Sequence, residues 1–214
     1  MRYRFDLSSR TSINISVEQK HEKIINGLKV IPKPWGVEDG FYPVPDFADG
    51  IIAIFPLDNI LGEGITGNII YRYRRRLEDS SMDDDIINIE FNPKKVDYGH
   101  LLNETFKKYI DFFDPYAAQI FDEEIIYQDF ERVQNKNLRK ELIRLYPVNY
   151  YDTQYCNDAL GMSPIQIKEL IAGSVEKAEL YRNGIIIIVS SKLLYVEQAD
   201  KIDMELKSLL QKNR

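Results

Sequence analysis

The residues with the most obvious potential for chemistry are a glycine cluster, an arginine–tyrosine run, an aspartate run and a few isolated groups. Gly62-Glu63-Gly64-Ile65-Thr66-Gly67 matches the spacing G-x-G-x-x-G. Dinucleotide binding by that pattern requires a helix opening at the last glycine, with its N-terminus facing the pyrophosphate. Here Asn68-Ile69-Ile70-Tyr71 follows, an extended pattern, and Glu63 puts negative charge where phosphate would sit. The cluster therefore reads as a glycine-rich connection between two strands, and no cofactor is expected. Tyr71-Arg72-Tyr73-Arg74-Arg75-Arg76 combines the stacking rings and cations of a nucleic-acid platform. However, Leu77-Glu78-Asp79 and Met82-Asp83-Asp84-Asp85 follow at once and oppose its field. A polar-faced edge strand, blunted by charge, is the better account. The aspartates lack the alternating oxygen ligands, central glycine and closing glutamate of a calcium loop, and read as solvated loop acids.

The isolated groups add no constellation. His21 and His100 lie far apart, each without a local His or Cys neighbour. That excludes local zinc spacing and leaves open a site assembled through space. Cys156 is the single cysteine; without a nucleophile signature around it, it reads as a small buried hydrophobe. Glu18-Gln19-Lys20 and Glu205-Leu206-Lys207 have the Glu-x-Lys form of some nucleases, but both fall in amphipathic helices as ordinary surface charge. The chain contains no G-x-S-x-G, P-loop or H-E-x-x-H. No catalytic, cofactor-binding or metal residue is assigned.

Composition narrows the classes further. At 214 residues, the chain fits one α+β domain over 1–214, with a possible sub-division near 140–145. Its 44% hydrophobic residues suffice for a core without staples. The net charge of −6 disfavours direct nucleic-acid binding, which draws its affinity from neutralised phosphates. It suits a basic partner, or simply solubility. No apolar run is long enough to span a membrane, and Met1 to Ser16 lacks the apolar core of a signal peptide. With one cysteine and therefore no internal disulfide, a cytoplasmic location is expected.

The elements follow from periodicity. Tyr3, Phe5 and Leu7 alternate with Arg2, Arg4 and Asp6, a half-buried strand. Ser16 and Gln19 form a capping box opening a helix with Ile24, Ile25, Leu28 and Ile31 on one face, stopped by Pro32. Pro32 to Asp49, rich in proline and carrying Trp35, Phe41, Tyr42 and Phe47, is a long ordered loop. The apolar run Ile51 to Leu57 reads as a central strand. Asn68 to Arg76 and Ile86 to Phe91 alternate as strands, and Tyr98 to Phe113 carries a helical stripe. Ala117 to Phe121 is a further short strand. Glu123 to Leu145 reads poorly, its polar stretch around 134–140 being either loop or exposed helix. Tyr146 to Tyr151 is extended, and Pro147 makes it an edge or an entry rather than a central strand. Ser163-Pro164-Ile165-Gln166 opens a helix, Asn183-Gly184 marks a tight hairpin, and Val196 to Leu210 is an amphipathic helix. The order β-α-β-β-β-α-(β), then β-α-β-β-α, implies an α+β fold. Its antiparallel or mixed sheet would carry helices on one face, in a layout resembling a duplicated β-α-β-β unit.

Three segments carry a resemblance: Phe91-Asn92-Pro93-Lys94-Lys95-Val96-Asp97-Tyr98, Tyr146-Pro147-Val148-Asn149-Tyr150-Tyr151-Asp152, and the block from Gly161 to Leu210. Together they resemble the bacterial immunity families that accompany polymorphic toxins, among them the immunity family catalogued as number fifty-two. The resemblance covers roughly the last 125 residues and rests on structural motifs without chemistry. It implies a cytoplasmic immunity protein that binds and neutralises a cognate toxin, often a basic nuclease domain, and it transfers no site residues. From aromatic and acidic loop content, the expected partner-binding residues are Trp35, Phe41, Tyr42, Asp79, Asp83, Asp84 and Asp85. For Trp35 the competing expectation is that it packs its own loop onto the core. Two other classes remain open. One is a hydrolase-type enzyme with a site built through space, which converging carboxylates in a deep pocket would favour. The other is a phage or structural assembly component, which self-association along Arg72 to Arg76 would favour.

Overall fold

Alternating sequence at the N-terminus becomes β1 (Tyr3–Ser9), which buries Tyr3, Phe5 and Leu7 and leaves the residues between them half-exposed. The computed structural model describes residues 1–12, 14–47, 51–73 and 80–211. It is an α+β protein in two compact units, Phe5–Pro115 and Met1–Arg4 with Tyr116–Arg214. Every strand pair with a defined register is antiparallel.

In the Phe5–Pro115 unit, α1 (Val17–Lys29) begins at the Ser16–Gln19 capping box and buries Ile24, Ile25 and Leu28. Strands β2 (Ile52–Pro56), β3 (Thr66–Arg72) and β4 (Asp85–Phe91) follow, and the sheet order is β2-β3-β4-β1. Inward positions are Ala53, Phe55, Ile69, Tyr71, Ile87 and Ile89, each at most 5% exposed. Burying a side chain of that size contributes about 1.5–3 kcal/mol. The outward row Ile54, Ile70, Ile86 lies in register across three strands. A continuous helical stretch then runs through α2 (Tyr98–His100), a π-turn (Leu101–Thr105) and α3 (Phe106–Phe113). The Phe5 ring packs against Phe106 and Tyr109, with centroids 5.4 and 5.0 Å away.

The second unit contains β5 (Ala117–Asp122), α4 (Glu124–Val133), β6 (Val148–Asp152), α5 (Thr153–Tyr155), a π-turn (Cys156–Leu160), α6 (Pro164–Ile171), β7 (Lys177–Tyr181), β8 (Gly184–Ile188) and α7 (Val196–Gln211). Its sheet order is β5-β6-β8-β7, and β6 and β8 are buried along their whole length. Tyr151, Ile185 and Ile187 pack against Tyr155, Cys156, Ile167, Ile171, Leu206 and Leu210. A satellite cluster of Phe121, Ile125, Val196 and Ala199 joins α4 to the start of α7.

Several sequence expectations need correction. The apolar run at β2 is not central: β2 ends its unit's strand order, and Ile54 is 53% exposed. Of the Tyr71–Arg76 segment expected as an edge strand, Tyr71 and Arg72 end β3 and pair with β2, while the register of β3 with β4 covers Thr66 to Ile70 and Arg74 to Arg76 lie outside the described residues. Apolar content reports burial of faces and is silent about lateral neighbours. β6 is central rather than an edge, since it pairs with both β5 and β8, and Pro147 stands at its entry. Pro147 precedes the strand, so no ladder donor is lost, and its carbonyl accepts from Val189 N–H at 2.8 Å. The hairpin exists, shifted by one residue. Tyr181 pairs with Gly184, leaving Arg182 and Asn183 as the loop, with Arg182 at φ 51°. Gly184 is needed for a close approach instead, since a Cβ there would meet the Tyr151 carbonyl at 2.2 Å. Each unit opens with strand then helix, yet their strand orders differ, with β1 beside β4 and β5 beside β6.

A candidate protein-binding surface

The sequence-derived contact residues differ widely in exposure. Trp35 is 2% exposed, its ring edge-on to Phe91 at 5.0 Å, and its carbonyl accepts from Tyr109 Oη–H at 2.7 Å. It packs its own loop onto the core and offers no anchor to a partner. Tyr42 is half-buried, its ring near Phe55 and its hydroxyl donating to Glu38 O. Phe41, by contrast, is 90% exposed. Asp79 lies outside the described residues.

Asp83, Asp84 and Asp85 are not solvated loop acids but buried ones. A turn capped by the Ser80 hydroxyl brings them back into the sheet. Asp85 accepts from Lys20 Nζ at 2.7 Å and from Arg72 N–H at 2.8 Å, while the Asp83 carbonyl accepts from the Thr11 hydroxyl. Charge on a buried carboxylate persists where cations and backbone donors satisfy it.

The chemical motifs resolve into structure as well. Gly64, at φ 75°, sits in the β2–β3 connection, and a strand follows the cluster. Gly67 lies so close to the neighbouring strand that a Cβ would reach Asn88 O at 2.2 Å. Cys156 is fully buried, and burial together with the Asp152 charge pushes its thiol up to about 12. A groove of about 460 Å³ in the Phe5–Pro115 unit is lined by Thr11, Ser12, Ser16, Lys20, Phe47 and Arg72 among others, and Glu18 is the one acid on its described lining. It has no convergence of carboxylates for acid–base work. Among the described residues, no group of three or more His, Cys, Asp or Glu could hold a metal ion, and no helix is long and apolar enough to cross a membrane.

The segment least legible in sequence carries an exposed aromatic pair of the second unit. α4 exposes Tyr127 and Phe130, at 80% and 62%, and buries Ile125 and Asp129. Residues three apart on a helix are surface neighbours, so the two rings form one patch. The Asp122 carboxylate accepts from Glu124 N–H at 3.1 Å and starts the helix. A buried ion network then fixes its azimuth. The Arg144 side chain, fully buried, reaches both Asp129 oxygens at 2.7 and 2.9 Å and Asp200 at 2.5 Å. Burial opposes the Arg144 charge, but hydrogen bonds to the two carboxylates outweigh it and hold its pKa above the ordinary arginine range. Arg132 adds a contact to Asp129 at 3.2 Å. One residue on, Leu145 N–H donates to Asp203 at 2.8 Å, and Lys207 Nζ donates both to Asp203 and to Ile143 O. Bidentate guanidinium–carboxylate geometry adds direction as well as energy, so α4 is held at one angle. The buried face combines Ile125 with Asp129, so the helical period is legible only once Asp129 is recognised as inward-facing.

No family model matches the chain, and no curated protein matches it. Its fold is similar to that of the Pseudomonas aeruginosa T6SS protein PA0821, with a TM-score of 0.56 and 9% identity over 98% of this chain and 72% of that one. At that identity the likeness is one of α+β fold.

Proposed function

We propose that this chain is an immunity protein, one that binds a cognate bacterial toxin in the cytoplasm and neutralises it by covering it. The observation that carries the reading is α4, a helix braced by a buried arginine that holds two large aromatics in solvent. Rigid aromatic anchors are what protein interfaces concentrate at their centres, and they are costly to leave wet without a partner. The three quoted segments, which resemble toxin-immunity families, support the same reading. So does the fold neighbour, a T6SS protein by name, which is compatible with a toxin-related role. A net charge of −6 suits a basic toxin such as a nuclease domain. An interface of about 1,200–2,000 Å² in total would be typical. The test is co-expression in a bacterial host with the protein encoded by the adjacent gene. The neighbour alone should arrest growth, and this chain should restore it and co-purify with it. Arrest that persists despite abundant folded chain would overturn the reading.

A further inference from the structure

We infer that the outward face of α4 is the docking surface, and that the partner meets it with a basic protein surface enclosing an apolar pocket. This rests on the reading of the chain as a toxin-binding protein. Tyr127 and Phe130 form the anchor, since aromatics of this size each bury about 150–250 Å² when covered. Glu124 precedes Tyr127 by three residues and Glu131 follows it by four, so both carboxylates flank the ring on the same exposed face. Neither glutamate makes an ion pair among the described residues. The nearby cations are engaged by the chain itself, Arg132 with Asp129 at 3.2 Å and Lys136 with Glu141 at 2.6 Å. The patch is thus apolar at its centre and acidic at its rim. An anionic polymer or lipid surface would be repelled, whereas Lys and Arg side chains around a pocket would be attracted. Behind the patch, Ile125 on the buried side of α4 packs with Val196 and Ala199 of α7.

The experiment uses the full chain and the adjacent-gene protein as the probe, with binding kinetics and melting temperatures for each variant. Because both rings are exposed, Tyr127→Ala and Phe130→Ala should leave the melting temperature unchanged. Each should raise the dissociation rate about 30-fold or more, as a hot-spot residue does. Glu124→Lys combined with Glu131→Lys should slow association about tenfold at low salt. Phe41→Ala, an equally exposed aromatic of the other unit, should change neither rate. If the wild type binds and neutralises the probe while the α4 variants do so equally well, the docking surface lies elsewhere and the immunity reading survives. If the wild type forms no complex with a toxic probe, that reading fails and the inference falls with it.

Discussion

Within the Phe5–Pro115 unit, the His21 ring is buried between two oxygen partners with different demands. The Tyr42 carbonyl can only accept, so Nε2 carries the proton across 3.2 Å, and Nδ1 then accepts from the Tyr71 hydroxyl at 2.9 Å. The neutral ring satisfies both, whereas a second proton on Nδ1 would require the Tyr71 hydroxyl to turn its own hydrogen away and accept. Burial lowers the His21 pKa below its ordinary value, against a smaller raising effect of the Tyr42 carbonyl. The sign follows from linkage: the unfolded chain takes up the proton at about 6.5, above the folded value, so protonation favours unfolding. Stability from this site is complete above that pH and declines as pH falls through it. Melting curves between pH 7.5 and 5.5 should therefore slope downward, and His21→Gln should flatten the slope while lowering the plateau. A wild-type melting temperature constant across that window would contradict this account. At this scale the sequence was a poor guide to role. Trp35 and the three aspartates have the types that interfaces favour, yet their neighbours bury them.

Among the elements, α4 depends most on a single polar contact. Arg144→Met removes the cation but leaves Asp129 buried at 5% side-chain exposure. Breaking one half of a buried pair costs about 3–5 kcal/mol, and here Asp129 would keep only the half-exposed Arg132 at 3.2 Å. For a chain of this length that lowers the melting temperature on the order of 10 °C. Arg144→Met with Asp129→Leu should recover much of the loss, since two apolar side chains of suitable size tolerate that environment. Thermal unfolding of the single and double variants decides the matter, and equal destabilisation by both would show that the pair is not the brace. The network also explains why 123–145 was hard to read. Its inward-facing positions include an aspartate and an arginine, so hydrophobic periodicity under-reports the buried face. Where the inward residues are apolar, as at Tyr98 to Phe113 and Val196 to Leu210, period and helix agree.

The whole molecule carries a net charge of −6, a long-range property that acts before any contact forms. Its association with a basic partner should slow by roughly tenfold as ionic strength rises from about 0.05 to 0.5 M, with little change in dissociation, because salt screens steering but not packed contacts. Stopped-flow association at several salt concentrations measures this, and a salt-independent rate would remove charge from the recognition. The sequence by itself determined most of the strand and helix inventory outside 123–145, though not α5 and the π-turn after it, and with it both capping boxes, the turn at Gly64 and the α+β class. These depend on periods, caps and turn residues that act within a few positions. Only the tertiary structure decided which strands are lateral neighbours, that Gly184 answers to the Tyr151 carbonyl, and that Asp83 to Asp85 point inward. It alone exposed Tyr127 and Phe130 beside a buried Arg144. Each of those outcomes depends on partners distant in sequence, brought together by chain reversals that no local pattern encodes.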